Sequence, residues 1–161
     1  MNFKIALADY HDAAQAQDLI RLLDHYAQSP MGGGKPLAAD VKPRLVRELA
    51  KIPNAFSVLA YVDNRAAGLM NCFQNFSTFK CKPLVNIHDV VVHEDFRRLG
   101  LATKMFHEVE TIAVERGCCK LTLEVLTRNS IAIKAYTKFG FNPFELSTEH
   151  GQALFFEKVL Y

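Results

Sequence analysis

The segment Val90-Val91-Val92-His93-Glu94-Asp95-Phe96-Arg97-Arg98-Leu99-Gly100-Leu101-Ala102-Thr103 joins three unlike pieces. Three valines in succession predict a strand buried on both faces. A charged turn follows. A helix then opens at Gly100 and runs to Arg116, with Leu101, Met105, Val109, Ile112 and Ala113 at helical spacing and Gly117 as its stop. The first N–H groups of such a helix have no partner within it, and the dipole adds partial positive charge there. A start of this kind attracts anions and suits a pyrophosphate. Gly100 and the small Ala102 let a ligand approach the backbone closely, and Arg97 and Arg98 add charge at the mouth.

Outward from this segment, the preceding strand covers residues 83–93 and the next one residues 121–126. A strand–helix–strand unit predicts that these two lie parallel. Upstream, residues 3–8 alternate as a half-buried strand. Asp9 or Asp12 then caps a helix carrying Ala16, Leu19, Ile20, Leu23 and Tyr26 on one face. Residues 29–36 (SPMGGGKP) break that helix. Val41, Leu45, Leu49 and Ile52 mark a second helix, with Pro43 tolerated in its first turn. Residues 56–62 and 66–76 are strands joined at Asp63-Asn64, a hairpin turn. Downstream, residues 129–139 form a short helix stopped by Gly140, and residues 144–148 and 154–160 predict a closing hairpin. The order β-α-α-β-β-β-α-β-α-β-β is α+β: a mixed, mostly antiparallel sheet of about six to seven strands flanked by helices. At 161 residues the chain fits one domain spanning residues 1–161.

Composition narrows the function. Half of the residues are hydrophobic, 22% are charged and the formal charge is +2 with no basic run, so neither nucleic acid nor an anionic membrane is the expected partner. Cys72, Cys81, Cys118 and Cys119 form no CxxC pair, and the histidines lack zinc-finger spacing, so no metal site is expected. The first residues, MNFKIALADYHD, lack the pattern of a signal peptide, and no apolar stretch is long enough to span a bilayer. The expected compartment is the cytoplasm, with thiols reduced.

Two separated motifs then carry a resemblance. The turn reads R-x-x-G-x-A after a V-V-V-H-x-x-F strand. About thirty residues later, Leu123-Glu124-Val125 is followed by Asn129, Ala132, Ala135-Tyr136 and Phe139-Gly140-Phe141. In this the chain resembles the GNAT superfamily of N-acetyltransferases, over residues 83–141. The resemblance implies the acyl-CoA N-acyltransferase fold with acetyl-CoA as cosubstrate. Backbone groups of Val90, Val91 and Val92 would bond the pantetheine arm as an added strand. Backbone N–H groups of Arg98, Leu99, Gly100, Leu101, Ala102 and Thr103 would hold the pyrophosphate, with the Arg97 charge beside them. Asn129 and Ala132 would border the CoA arm, and Tyr136 would lie near the thioester sulfur. Where many relatives have glycine this chain has Arg98 and Ala102, and the Arg98 side chain is expected to turn outward.

The implied chemistry is direct attack of a neutral amine on a thioester. It needs an N–H aimed at the carbonyl oxygen, a base for the ammonium and an acid for the departing sulfur. Tyr136 fits the acid, with a core aromatic as its other reading. For the base, residues 83–90 (PLVNIHDV) resemble the polyamine branch of the superfamily, with His88 where that branch has Glu and with Asp89 kept. Strand alternation sends His88 and Asp89 to opposite faces unless a bulge intervenes. Glu124, on the neighbouring strand, is a further candidate for the acceptor side. The acceptor is expected to be a primary amine of a small molecule, whether a polyamine or an acidic or zwitterionic amine. A protein amine as acceptor, or a CoA-binding regulatory module without turnover, are the alternatives. The apolar run LFFEKVL at residues 154–160 predicts a covered surface, most simply in a homodimer.

Overall fold

A computed structural model describes residues 1–145, 149 and 151–160. Strand β1 (Phe3–Leu7) leads to helices α1 (Ala13–Gln28) and α2 (Leu45–Leu49). Then come β2 (Ala55–Val62), β3 (Arg65–Ser77), β4 (Lys82–Val92), α3 (Leu101–Glu115), β5 (Leu121–Leu123) and α4 (Ser130–Phe139). The sheet order is β1-β2-β3-β4-β5, with antiparallel pairing up to β4 and a parallel β4–β5 pair. Local chemistry sets the joints. Asp12 caps α1 by accepting from the N–H groups of Ala14 and Gln15 at 2.9 and 3.0 Å. Asp63 and Asn64 both take positive φ, 47° and 63°, as a tight hairpin turn between β2 and β3 requires.

Alternate side chains of the sheet feed two cores. On one face Val58, Ala60, Met70 and Ile87 pack with Leu101, Met105, Phe106 and Val109 of α3. On the other Leu59, Leu69 and Val91 pack with Leu19 and Leu22 of α1 and Val46 and Leu49 of α2. Each fully buried leucine contributes roughly 1.5–3 kcal/mol, so the sheet is held from both sides. The valine run serves both cores. Val91 is buried against α1, while Val90 and Val92 are partly buried against the α3 side.

Three expectations change. The α-helical part of α2 begins only after Pro43, at Leu45, and residues 41–44 form turns instead. Proline disfavours helical backbone in the residue before it. Strand β5 ends at Leu123 rather than Leu126. The sheet has five strands among the described residues, not six to seven. Among the described residues of the closing hairpin the one pairing is an antiparallel bridge between Glu145 and Gln152, and residues 154–160 lie outside any strand. A two-stranded ribbon is marginal without a third strand, and three residues of β5 offer it little edge. Residues 146–148 of that hairpin lie outside the described residues.

The site is positioned by what β4 does after its pairing with β5 ends. The parallel ladder joins Val85–Ile87 to Leu121–Leu123 and stops there. Strand β4 continues to Val92, paired with β3 on one side only. A gap therefore opens between β4 and the chain that follows β5.

Candidate active site

At the end of β4, His93 starts a short 3-10 turn (Glu94–Phe96), and its Nδ1 accepts from the N–H of Asp95 at 3.3 Å. His25 of α1 stacks on that ring with centroids 4.3 Å apart, which ties α1 to the turn. The chain then passes through two left-handed residues, Arg98 (φ 64°) and Gly100 (φ 74°), before α3 begins. Arg98 holds a backbone shape that glycine adopts more cheaply, and its side chain is exposed, as expected. Among the described residues the N–H groups of Arg98, Leu99, Gly100, Leu101, Ala102 and Thr103 meet no acceptor. The Arg97 N–H is taken by Glu94 at 3.2 Å, and its side-chain Nε donates to the Val92 carbonyl at 3.4 Å. The turn is thus a run of unspent donors at a helix start, suited to an oxygen-rich anion.

On the far side of β4 lies a cavity of about 390 Å³ between α1, the 29–37 loop, α2, β3 and β4. Among the described residues Leu23, Leu37, Leu45, Leu49 and Phe73 supply apolar walls, Tyr26 adds a ring whose hydroxyl donates to the Met31 carbonyl at 3.2 Å, and Asn71, His88 and Asp89 are the other polar side chains. His88 and Asp89 both line it because β4 bulges. Asn71 faces Asp89 and Cys72 faces Ile87, which leaves His88 as the extra residue. His88 sits edge-on to Phe73, with centroids 5.6 Å apart. Asp89 ends a hydrogen-bond chain through the sheet. Asn71 Nδ2 donates to Asp89 Oδ2 at 2.9 Å, Ser57 Oγ donates to Asn71 Oδ1 at 2.7 Å, and the Tyr10 hydroxyl pairs with Ser57 at 2.8 Å. Ser57 and Asn71 are buried, so this chain is what satisfies them. The loop is pinned as well. Asp24 accepts from the Leu37 N–H and from Lys42 Nζ, both at 2.8 Å, and Gly32 lies so close to α1 that a Cβ there would clash with the Tyr26 carbonyl oxygen.

Tyr136 of α4 packs edge-on against Phe106, centroids 5.7 Å apart, and near Phe141. Burial pushes its phenol up to about 12, and the nearby Tyr26 phenol adds to the push. Its side chain is partly buried, and its hydroxyl meets no partner among the described residues. Tyr26 is itself raised, by burial first and then by the charge of Asp89. Asn129 caps α4, its Oδ1 accepting from the Ala132 N–H at 3.2 Å. Glu124 is exposed just beyond β5, and neither it nor Tyr136 lines the cavity.

The sequence reading did not single out Asn71, Ser57, Tyr10 or Phe73. One signal was available: Asn71 is the lone polar side chain in the apolar run 66–73 (AAGLMNCF), and a polar group in a central strand must find a partner. Among the described residues no three His, Cys, Asp or Glu side chains gather in a metal-holding group, and no helix is long and apolar enough to cross a membrane.

Residues 18–141 match the family model described as the acetyltransferase (GNAT) family. Over 66 residues the chain is 30% identical to a thialysine N-epsilon-acetyltransferase of Bos taurus, a stretch that covers 41% of this chain and 38% of that protein. A solved aminoglycoside acetyltransferase, meta-AAC0020 from an uncultured soil metagenomic sample in complex with sisomicin, superposes with a TM-score of 0.80 at 18% identity, over 99% of this chain and 97% of that one. The structure of AAC(6')-Iy with a bisubstrate analogue built on CoA superposes with a TM-score of 0.78 at 17% identity, over 99% of both chains. At these identities the structures speak for the fold.

Proposed function

The chain belongs to the GNAT acetyltransferase family, and from that premise we propose that it moves an acetyl group from acetyl-CoA to a primary amine of a small molecule, by direct attack in a ternary complex. The observation that carries this reading is the conjunction on β4 of an open strand edge at Val90, Val91 and Val92 with the unspent N–H run from Arg98 to Thr103. An extended ligand with a pyrophosphate fits both at once, and one relative in the same fold was solved with a CoA-based analogue. When bound, acetyl-CoA supplies the acetyl group already activated as a thioester.

This chain's own residues do the rest. The N–H groups of the turn bind the pyrophosphate, with Arg97 and Arg98 beside them. Alternate backbone groups of Val90–Val92 point to the open edge and align the arm. Asn129 and Ala132, at the start of α4, border it. On the cavity side Asp89 attracts the ammonium, and His88 next to it takes the proton that must leave before nitrogen can attack. Tyr136 returns a proton to the departing sulfur. Its pKa of about 12 lies roughly 3.5 units above an ordinary thiol, so the transfer works only where the thiolate is desolvated and equally raised. Glu124 has no part in this reading. The setting we propose with it is a single domain over residues 1–161, in the cytoplasm, as a homodimer.

The reading is tested by mixing acetyl-CoA with a panel of primary amines and following thiol release. Amine-dependent release supports it, and binding of acetyl-CoA measured by calorimetry in excess chelator is expected to survive. Loss of that binding in chelator would contradict the backbone-only account of the phosphate site.

A further inference from the structure

The cavity beside β4 also discriminates among amines. Resting on the transferase reading above, we propose that the acceptor is a monoamine with an uncharged apolar body, not a polyamine, an amino acid or an amino sugar.

Charge comes first. Among the described residues Asp89 is the one carboxylate in the cavity lining, and one of its oxygens accepts from Asn71 at 2.9 Å, which leaves the other for an ammonium. The acid nearest in sequence to the lining residues of α1, Asp24, is consumed by Lys42 and by the Leu37 N–H and does not face the cavity. A second ammonium would therefore meet the leucines of α1 and α2 and find no counter-ion, an arrangement that burial penalises heavily. Among the described residues no lysine or arginine lines the cavity either, so an amino acid's carboxylate would go equally unpaired. An amino sugar presents many hydroxyls to a wall that offers Asn71, His88, Asp89 and a Tyr26 hydroxyl already bonded to Met31, and otherwise apolar surface.

Shape agrees with charge. Roughly 150 Å³ suffices for a benzene ring in an apolar cavity, and this one holds about 390 Å³, enough for a ring and a short amine-bearing arm. Tyr26 and Phe73 supply flat walls, and Phe73 meets the His88 imidazole edge-on in the same lining as Asp89.

The experiment compares kcat/KM for 2-phenylethylamine, spermidine and L-lysine at saturating acetyl-CoA. Phenylethylamine is expected to lead by on the order of 10-fold, the penalty for a polar group left unpaired against the apolar walls of a cavity that opens to solvent at His88. A lead by spermidine or lysine would overturn the inference and leave the transferase reading standing. No thiol release with any of the three, nor with a wider amine panel, would sink both. A second variant locates the effect. Leu45→Asp adds an acid to the α2 wall and should move the spermidine to phenylethylamine ratio at least tenfold towards spermidine. An unchanged ratio in a folded Leu45→Asp protein would mean that the acceptor does not sit in this cavity.

Discussion

In the transfer proposed above, the chemistry is divided between Tyr136 and His88. Tyr136 is raised to about 12, first by burial and then by Tyr26, which keeps its phenol protonated at ordinary pH. Tyr136→Phe keeps the packing on Phe106 and removes the proton. Turnover should fall on the order of 10²-fold while acetyl-CoA affinity stays within a few fold. Unchanged turnover would make the tyrosine a packing residue. His88→Gln should instead show a deficit that shrinks as pH rises, because more amine is then neutral without help; a deficit independent of pH would remove His88 as the base. The sequence named both residues, yet alternation alone put His88 and Asp89 on opposite faces. The bulge that brings both to the cavity depends on pairing with β3, which is not written in β4 itself. Asn71 was legible only as an oddity in an apolar run, because its partners lie on β2 and β4.

At the scale of elements, the turn before α3 was the most legible part of the molecule. Its signals are local: a glycine at a left-handed position, a helix start and flanking arginines. Gly100→Asp should weaken acetyl-CoA binding about 100-fold, since like charges brought together cost several kcal/mol. The fold should tolerate it, because a Cβ at Gly100 meets nothing within 4 Å and aspartate accepts left-handed backbone better than most residues. Unfolding of the variant, or affinity kept, would contradict this. Phe106 was not picked out by the helical spacing, although it is buried and centres the cluster of Tyr136, Phe139 and Phe141 that seats α4 on α3. Phe106→Ala should cost about 3–5 kcal/mol in denaturant unfolding. Periodicity reports a face, and residues at its margin are settled only by what packs there.

Across the whole molecule, the element order up to α4 and the parallel β4–β5 pair were readable from hydrophobic pattern and connection length. The C-terminal segment was not, because whether it pairs depends on which edge it meets. Leu154, Phe155, Phe156, Val159 and Leu160 are 74–83% exposed, and β5 has no second partner among the described residues. An exposed apolar run together with an open sheet edge predicts burial against a second copy. Sedimentation at micromolar concentration should therefore find a dimer, and a monomer would count against it. Stability should also depend on pH at the alkaline end. Tyr61 is raised to about 12 by burial and by Asp18, and Tyr136 likewise to about 12. A raised phenol contributes stability that is whole below its ordinary value near 10 and is lost as pH climbs through about 12. Thermal unfolding should be flat up to pH 9 and fall beyond 10. The central claim, however, is transfer of an acetyl group to nitrogen, and one mass balance tests it most directly. With acetyl-labelled acetyl-CoA and a saturating primary amine, label should appear on the amine nitrogen one-for-one with free CoA thiol. Tight binding of acetyl-CoA with no label on any amine would contradict it and leave a CoA-binding module in its place.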